Sequence, residues 1–163
     1  MKRVSSIAAA AFGAVLLVPA LTSTASAATP TPRNTVIPRP AAVSPALSAD
    51  SVCASVTGAR VCFVKYGDKF TVEDTSADGY SAVAVWNNYL WDGSAWVLYR
   101  AGACVNSNGN GTVATCNYDF YENTTTNPYG AKGSQIVFQA CTYDSPTDVI
   151  KSCSAVAATL NDG

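Results

Sequence analysis

The six cysteines of this chain, Cys53, Cys62, Cys104, Cys116, Cys141 and Cys153, all fall in its last 111 residues, and they constrain its fold more than any other feature. They follow a segment that reads as an export signal. Met1-Lys2-Arg3 is a basic start, Ile7 to Leu21 is apolar, and Ala25-Ser26-Ala27 has the small residues of a cleavage site. The apolar run carries Gly13 and Pro19 and is shorter than the ~20 residues a membrane span needs. An even cysteine count in an exported chain reads as a disulfide framework. The chain also has no histidine, which removes the commonest general base and the commonest zinc ligand. The expectation is a secreted, rugged binding module rather than an enzyme, with no metal and no cofactor.

The expected organisation is a signal peptide at 1–27, a tail at 28–49 and one domain at 50–163. The tail holds Pro30, Pro32, Pro38, Pro40 and Pro45. Proline fixes φ and removes a backbone donor, so this stretch can form neither helix nor central strand. Residues 28–48, extended at ~3.1 Å per residue, span roughly 65 Å. The tail contains Arg33 and Arg39 and no acid, whereas residues 50–163 contain six basic and eleven acidic residues. Without Lys2 and Arg3 the ten basic residues become eight against eleven acidic, a net charge of −3. Nucleic acid is therefore a poor partner, because phosphate binding needs a basic face. The tail reads either as a spacer or as a binding segment. Val36 and Ile37, between the two arginines, favour binding, since an inert linker has little use for adjacent β-branched apolar residues.

From Val61 onward the pattern is that of short strands. Val61 to Tyr66, Lys69 to Asp74, Tyr80 to Trp86, Ala95 to Asn106, Thr112 to Tyr121, Gln135 to Thr142 and Val149 to Leu160 are separated by turn signals. About seven strands with no helical period predict an all-β fold, a small antiparallel β-sandwich. Asn108-Gly109-Asn110-Gly111 predicts a hairpin, flanked by Cys104 and Cys116. Cys141 and Cys153 flank the Ser145-Pro146 turn. Of fifteen possible connectivities, these positions favour 53–62, 104–116 and 141–153. Each such loop contributes roughly 2.5–3 kcal/mol in the chain-entropy model.

Candidate chemistry is sparse. Asp74-Thr75-Ser76-Ala77-Asp78-Gly79 matches the first half of a calcium loop, but its twelfth position is Val85, where a bidentate Glu is required; a turn explains the string more simply. Glu73, Asp74, Asp119 and Glu122 are expected to be dispersed surface carboxylates. Trp86, Tyr89, Trp91 and Trp96 crowd around Asn87-Asn88 and could be either hairpin core or a sugar-stacking surface.

Arg60-Val61-Cys62-Phe63, Tyr66-Gly67-Asp68-Lys69-Phe70, Asp78-Gly79-Tyr80-Ser81-Ala82-Val83-Ala84 and Cys116-Asn117-Tyr118-Asp119-Phe120 are similar to strings in small exported actinobacterial β-proteins. With the basic, proline-rich tail, the layout resembles the adaptor subunits of umbrella toxin particles. That resemblance implies a tail docked in an acidic cleft of a large repeat-containing toxin subunit, and a domain that carries a lectin subunit. Arg33 and Arg39 would then pair with carboxylates, while Val36 and Ile37 would fill apolar pockets. A secreted protease inhibitor presenting residues 122–133, and a carbohydrate-binding module using the aromatic cluster, are the rival readings. Thiol labelling of the denatured, unreduced protein should modify no cysteine; one reproducible free thiol per chain would break the disulfide framework.

Overall fold

The computed structural model describes residue 37 and residues 50–163. They form two antiparallel sheets built from nine strands: β1 (Ser51–Val56), β2 (Ala59–Val64), β3 (Lys69–Asp74), β4 (Ser81–Trp91), β5 (Trp96–Asn106), β6 (Val113–Asn117), β7 (Ser134–Asp144), β8 (Val149–Cys153) and β9 (Ala157–Leu160). The first sheet has the order β1-β2-β3-β6, and the second β5-β4-β7-β8, with β9 also paired to β7. No described helix is long and apolar enough to cross a membrane.

The predicted sandwich is present, with differences that have local causes. Strand β1 was not expected. Its alternation is carried by Val52, Ala54 and Val56, which pack against the core, but the intervening Ser, Cys and Ser make a weak apolar signal. Val149 to Leu160 is two strands rather than one. At Ser154 the chain switches position on β7: its N–H donates to the Ala140 carbonyl at 2.8 Å, and its Oγ accepts from the Ala140 N–H at 3.1 Å. Thr112 to Tyr121 leaves its sheet after Asn117, which frees Tyr118 and Phe120 to turn into the core.

The predicted 104–116 hairpin is absent. Strands β5 and β6 lie in different sheets, and the Asn-Gly segment is a crossing between them. Asn106, fully buried, holds that crossing. Its Nδ2 donates to the Val72 carbonyl at 3.0 Å and the Thr112 carbonyl at 2.8 Å, while its Oδ1 accepts from the Asn108 N–H at 3.1 Å. The three disulfides nevertheless pair as expected: Cys53–Cys62, Cys104–Cys116 and Cys141–Cys153. The first and third join directly opposed residues of neighbouring strands; the second joins the two sheets.

Strand parity divides the apolar residues into two sets. Phe63, Phe70, Val72, Ala84, Trp86, Phe120, Ile136 and Phe138 fill the space between the sheets. Phe70 lies at its centre, edge-on to Phe138 at 5.4 Å and parallel to Trp86 at 6.3 Å. The opposite residues of β4 and β7, Val83, Val85, Tyr89, Val137, Cys141 and Tyr143, form a second buried cluster on the outer face of the second sheet. Trp86 spreads its indole over Gly102 of β5, and a Cβ built there would lie 2.5 Å from the indole. Gly102→Ala should therefore destabilise the domain by about 1–3 kcal/mol through overpacking, with little change in denaturant m-value. Urea unfolding that gave an unchanged midpoint would mean that the indole has room to move.

Candidate functional site

Of the four tail residues expected to bind a partner, Ile37 is described and Arg33, Val36 and Arg39 lie outside the described residues. Ile37 is 2% exposed and packs in the outer cluster of the second sheet with Val83, Val85, Tyr89, Val137, Cys141 and Tyr143. Its carbonyl accepts hydrogen bonds from Asn87 Nδ2 at 2.6 Å and from the Tyr89 hydroxyl at 3.1 Å. Strand β4 sets this arrangement, since Val83, Val85, Asn87 and Tyr89 alternate onto one face. Asn87 is fully buried, and its Oδ1 has no hydrogen-bond partner among the described residues.

A second feature is a cleft of about 590 Å³ bounded by Asp68, Tyr99, Arg100, Asp119, Tyr121 and Glu122, among others. A bulge in β5 builds one wall. Asn88 pairs with Arg100 and Tyr89 with Leu98, so Tyr99 is the extra residue, and such irregularities re-aim side chains. The Arg100 guanidinium stacks 4.5 Å from the Phe120 ring and donates to the Asp119 carbonyl. Tyr99 and Tyr121 meet edge to face at 5.8 Å. Asp68 has φ 50°; its carboxylate accepts from the Phe120 N–H at 2.9 Å and from Asn161 Nδ2 at 2.8 Å. Burial pushes the Asp68 carboxyl above the ordinary carboxylate range, although these hydrogen bonds oppose the shift. Burial also raises Glu122, helped by the negative charge of Asp68, and its Oε2 is buried without a partner among the described residues.

Asp119 and Glu122, expected to be dispersed, thus share one cleft with Asp68, whose sequence context, Gly67-Asp68, signalled only a turn. Asp74 is also not a surface carboxylate. It is 2% exposed and accepts from the Ser76 N–H at 3.1 Å. Asp78 accepts from the Tyr80 N–H at 2.9 Å, so the calcium-like string is occupied with closing its own turn. Among the described residues no group of three or more His, Cys, Asp or Glu side chains is placed to hold a metal ion.

The aromatic quartet does not form one flat platform. Trp86 is inside the sandwich and Tyr89 is buried on the outer face. Trp91 and Trp96, half-buried, meet at 5.5 Å with their planes inclined by 61°. In the 122–133 segment Asn127 is the organiser. Its Nδ2 donates to the Trp91 carbonyl at 2.7 Å, its Oδ1 accepts from the Tyr129 N–H at 2.9 Å, and its N–H donates to the Ala131 carbonyl at 2.8 Å. This presents an exposed Tyr129 on a closed turn.

No family model matches the chain, and comparison with curated proteins and with solved structures finds no match.

The cleft has a consequence for stability. Glu122 holds its proton more readily folded than unfolded, so the folded state loses stability as pH rises from roughly 4 through the raised value. Glu122→Gln removes that titration and can keep the acceptor for the Gly163 N–H. The variant should melt higher than the parent at pH 7, with the gap closing toward pH 4. A gap of the same size at both pH values, or a lower melting point at pH 7, would show that Glu122 is not held in a desolvated position.

Proposed function

We propose that this chain is a secreted, non-enzymatic adaptor whose tail docks into a larger protein while its disulfide-linked sandwich carries another. On this reading the tail enters an acidic cleft of a large repeat-containing toxin subunit and the domain holds a lectin subunit. Arg33 and Arg39 supply guanidinium forks for carboxylates, and Val36 and Ile37 supply apolar anchors. The observation that carries the reading is Ile37 itself. It makes specific side-chain and carbonyl contacts with its own domain, which supports a binding rather than a spacer role for that residue. The acidic balance of residues 50–163 against a tail without acids adds support, because the tail's partner then needs the charge the tail lacks. A chain without histidine, and with all six cysteines in disulfides, has neither a Ser–His nor a Cys–His pair for nucleophilic catalysis.

A protease inhibitor is the second reading, favoured by the Asn127-held turn that presents Tyr129. The two part on the tail, since inhibition through residues 122–133 would survive its removal.

Deleting residues 28–48 should abolish co-purification with a large repeat-containing partner from culture supernatant, identified by mass spectrometry, and leave the domain folded. Arg33→Glu with Arg39→Glu should weaken the complex more than neutral replacements do, and salt should weaken the parent complex. Capture of the same partner at unchanged affinity by the truncated chain would reduce the tail to a spacer.

A further inference from the structure

The outer face of the second sheet carries an arrangement that a solvent-facing sheet has no need of. Asn is poorly suited to a strand interior, yet Asn87 sits on β4 between Val85 and Tyr89, on the face that carries Val83 and Val137, with no exposed surface. Its amide is used on the backbone of another segment: Nδ2 and the neighbouring Tyr89 hydroxyl converge on one carbonyl, that of Ile37. The side chain of the same residue is buried in the apolar cluster that also contains Val83, Val85, Val137, Cys141 and Tyr143. Two polar donors for the main chain, beside an apolar floor for the side chain, are the parts of a peptide-recognition site.

We propose that the outer face of the second sheet is a peptide-binding site for one β-branched residue and its backbone carbonyl, and that Ile37 of the same chain fills it as a releasable latch on the tail. The sequence suits the role. Ile37 precedes Pro38, which biases it to an extended backbone, so less conformational entropy is lost on docking. The carbonyl also fixes which way the Asn87 amide points, since a flip would set oxygen against oxygen. In that orientation Asn87 Oδ1 faces a buried environment without a donor among the described residues. Among the described residues that acceptor is unused while Ile37 is docked, and a buried acceptor without a donor costs free energy that release into water recovers, which favours exchange.

The site stands apart from the adaptor reading. Its consequence for docking rests on that reading: a partner that takes Ile37 must first draw it off its own domain, so latch and partner compete for one side chain.

The test uses the mature chain, residues 28–163, with isoleucine δ-methyl labels. The Ile37 methyl should show cross-relaxation to the Tyr89 ring within one molecule. Ile37→Asp should abolish those signals and shift the Asn87 side-chain amide, while the Ile136 methyl, which reports the core, stays in place. A synthetic peptide of residues 33–41 added to that variant should return the Asn87 amide toward its parent position. The same peptide carrying the Ile37→Asp change should bind about tenfold or more weakly, the loss expected for one buried β-branched side chain. Tyr89→Phe, which removes one donor and keeps the ring, should move the Ile37 methyl partway to its free position. Absence of the ring contacts, an Asn87 amide indifferent to Ile37→Asp, or contacts found only between molecules in an isotope-mixed sample would each overturn the latch. No partner protein is present in any arm, so these outcomes are independent of whether the tail docks elsewhere.

Discussion

Strands β4 and β7 lie side by side from the Ser81–Tyr143 pair to the Leu90–Ser134 pair, and neither face of that ladder can be given to water. Nearly every side chain along both strands is buried. An antiparallel sheet usually packs one face on the core and leaves the other wet. Here the inner face meets the first sheet, and the outer face presents valines, tyrosines and a cystine. Each such side chain is worth roughly 1.5–3 kcal/mol when buried, so the fold is shaped by the need to cover the second face. Trp96, Ile150, Val156 and Ala158 close over its margins, which is why the final segment breaks into β8 and β9 instead of continuing straight. Ile37 closes over the same cluster, and this ties a segment far ahead of β1 to the centre of the domain.

The disulfides answer a different constraint. The outermost strands of the two sheets include β1 and β6 in the first and β5 and β8 in the second. Cys53, Cys116, Cys104 and Cys153 put one half-cystine on each of them. Edge strands have one neighbour, fray first and invite pairing with other chains. Tying each to an inner strand or to the opposite sheet suppresses both, without any large enlargement of the core. The buried asparagines complement this. Asn106 secures the sheet-to-sheet crossing, Asn127 the 122–133 turn, and Asn161 joins Asp68 and the Tyr121 carbonyl near the end of the chain. Asn87 is the one whose partner belongs to the tail.

The domain therefore presents two chemically distinct places. One is apolar, reads a main-chain carbonyl and holds a residue of the tail. The other is an acid-rich cleft in which Arg100 stacks on Phe120 and hydrogen-bonds the Asp119 carbonyl, and in which burial holds Asp68 and Glu122 above the ordinary carboxylate range.

Periodicity and cysteine position by themselves determined the all-β class and most of the strands and favoured the disulfide pairing, since alternation, turn residues and sequence separations of 9–12 between paired cysteines are local in the chain. They also marked Ile37 as an apolar residue out of place in a proline-rich tail. Tertiary structure decided the rest. An Asn-Gly turn reports that the chain reverses, not which sheet it re-enters, so the crossing at Asn106 was invisible until β3 and β6 were seen to pair. Alternation along β4 separates Trp86 from Tyr89, but only the position of the first sheet says which of them faces the core. Asp68, Asp119 and Glu122 are distant or merely adjacent in sequence, and their shared cleft depends on a one-residue bulge at Tyr99 that leaves no compositional mark. The contact between Ile37 and Asn87 joins residues fifty positions apart; each can be picked out alone as unusual for its surroundings, but their pairing exists only once the outer face of the second sheet has been assembled.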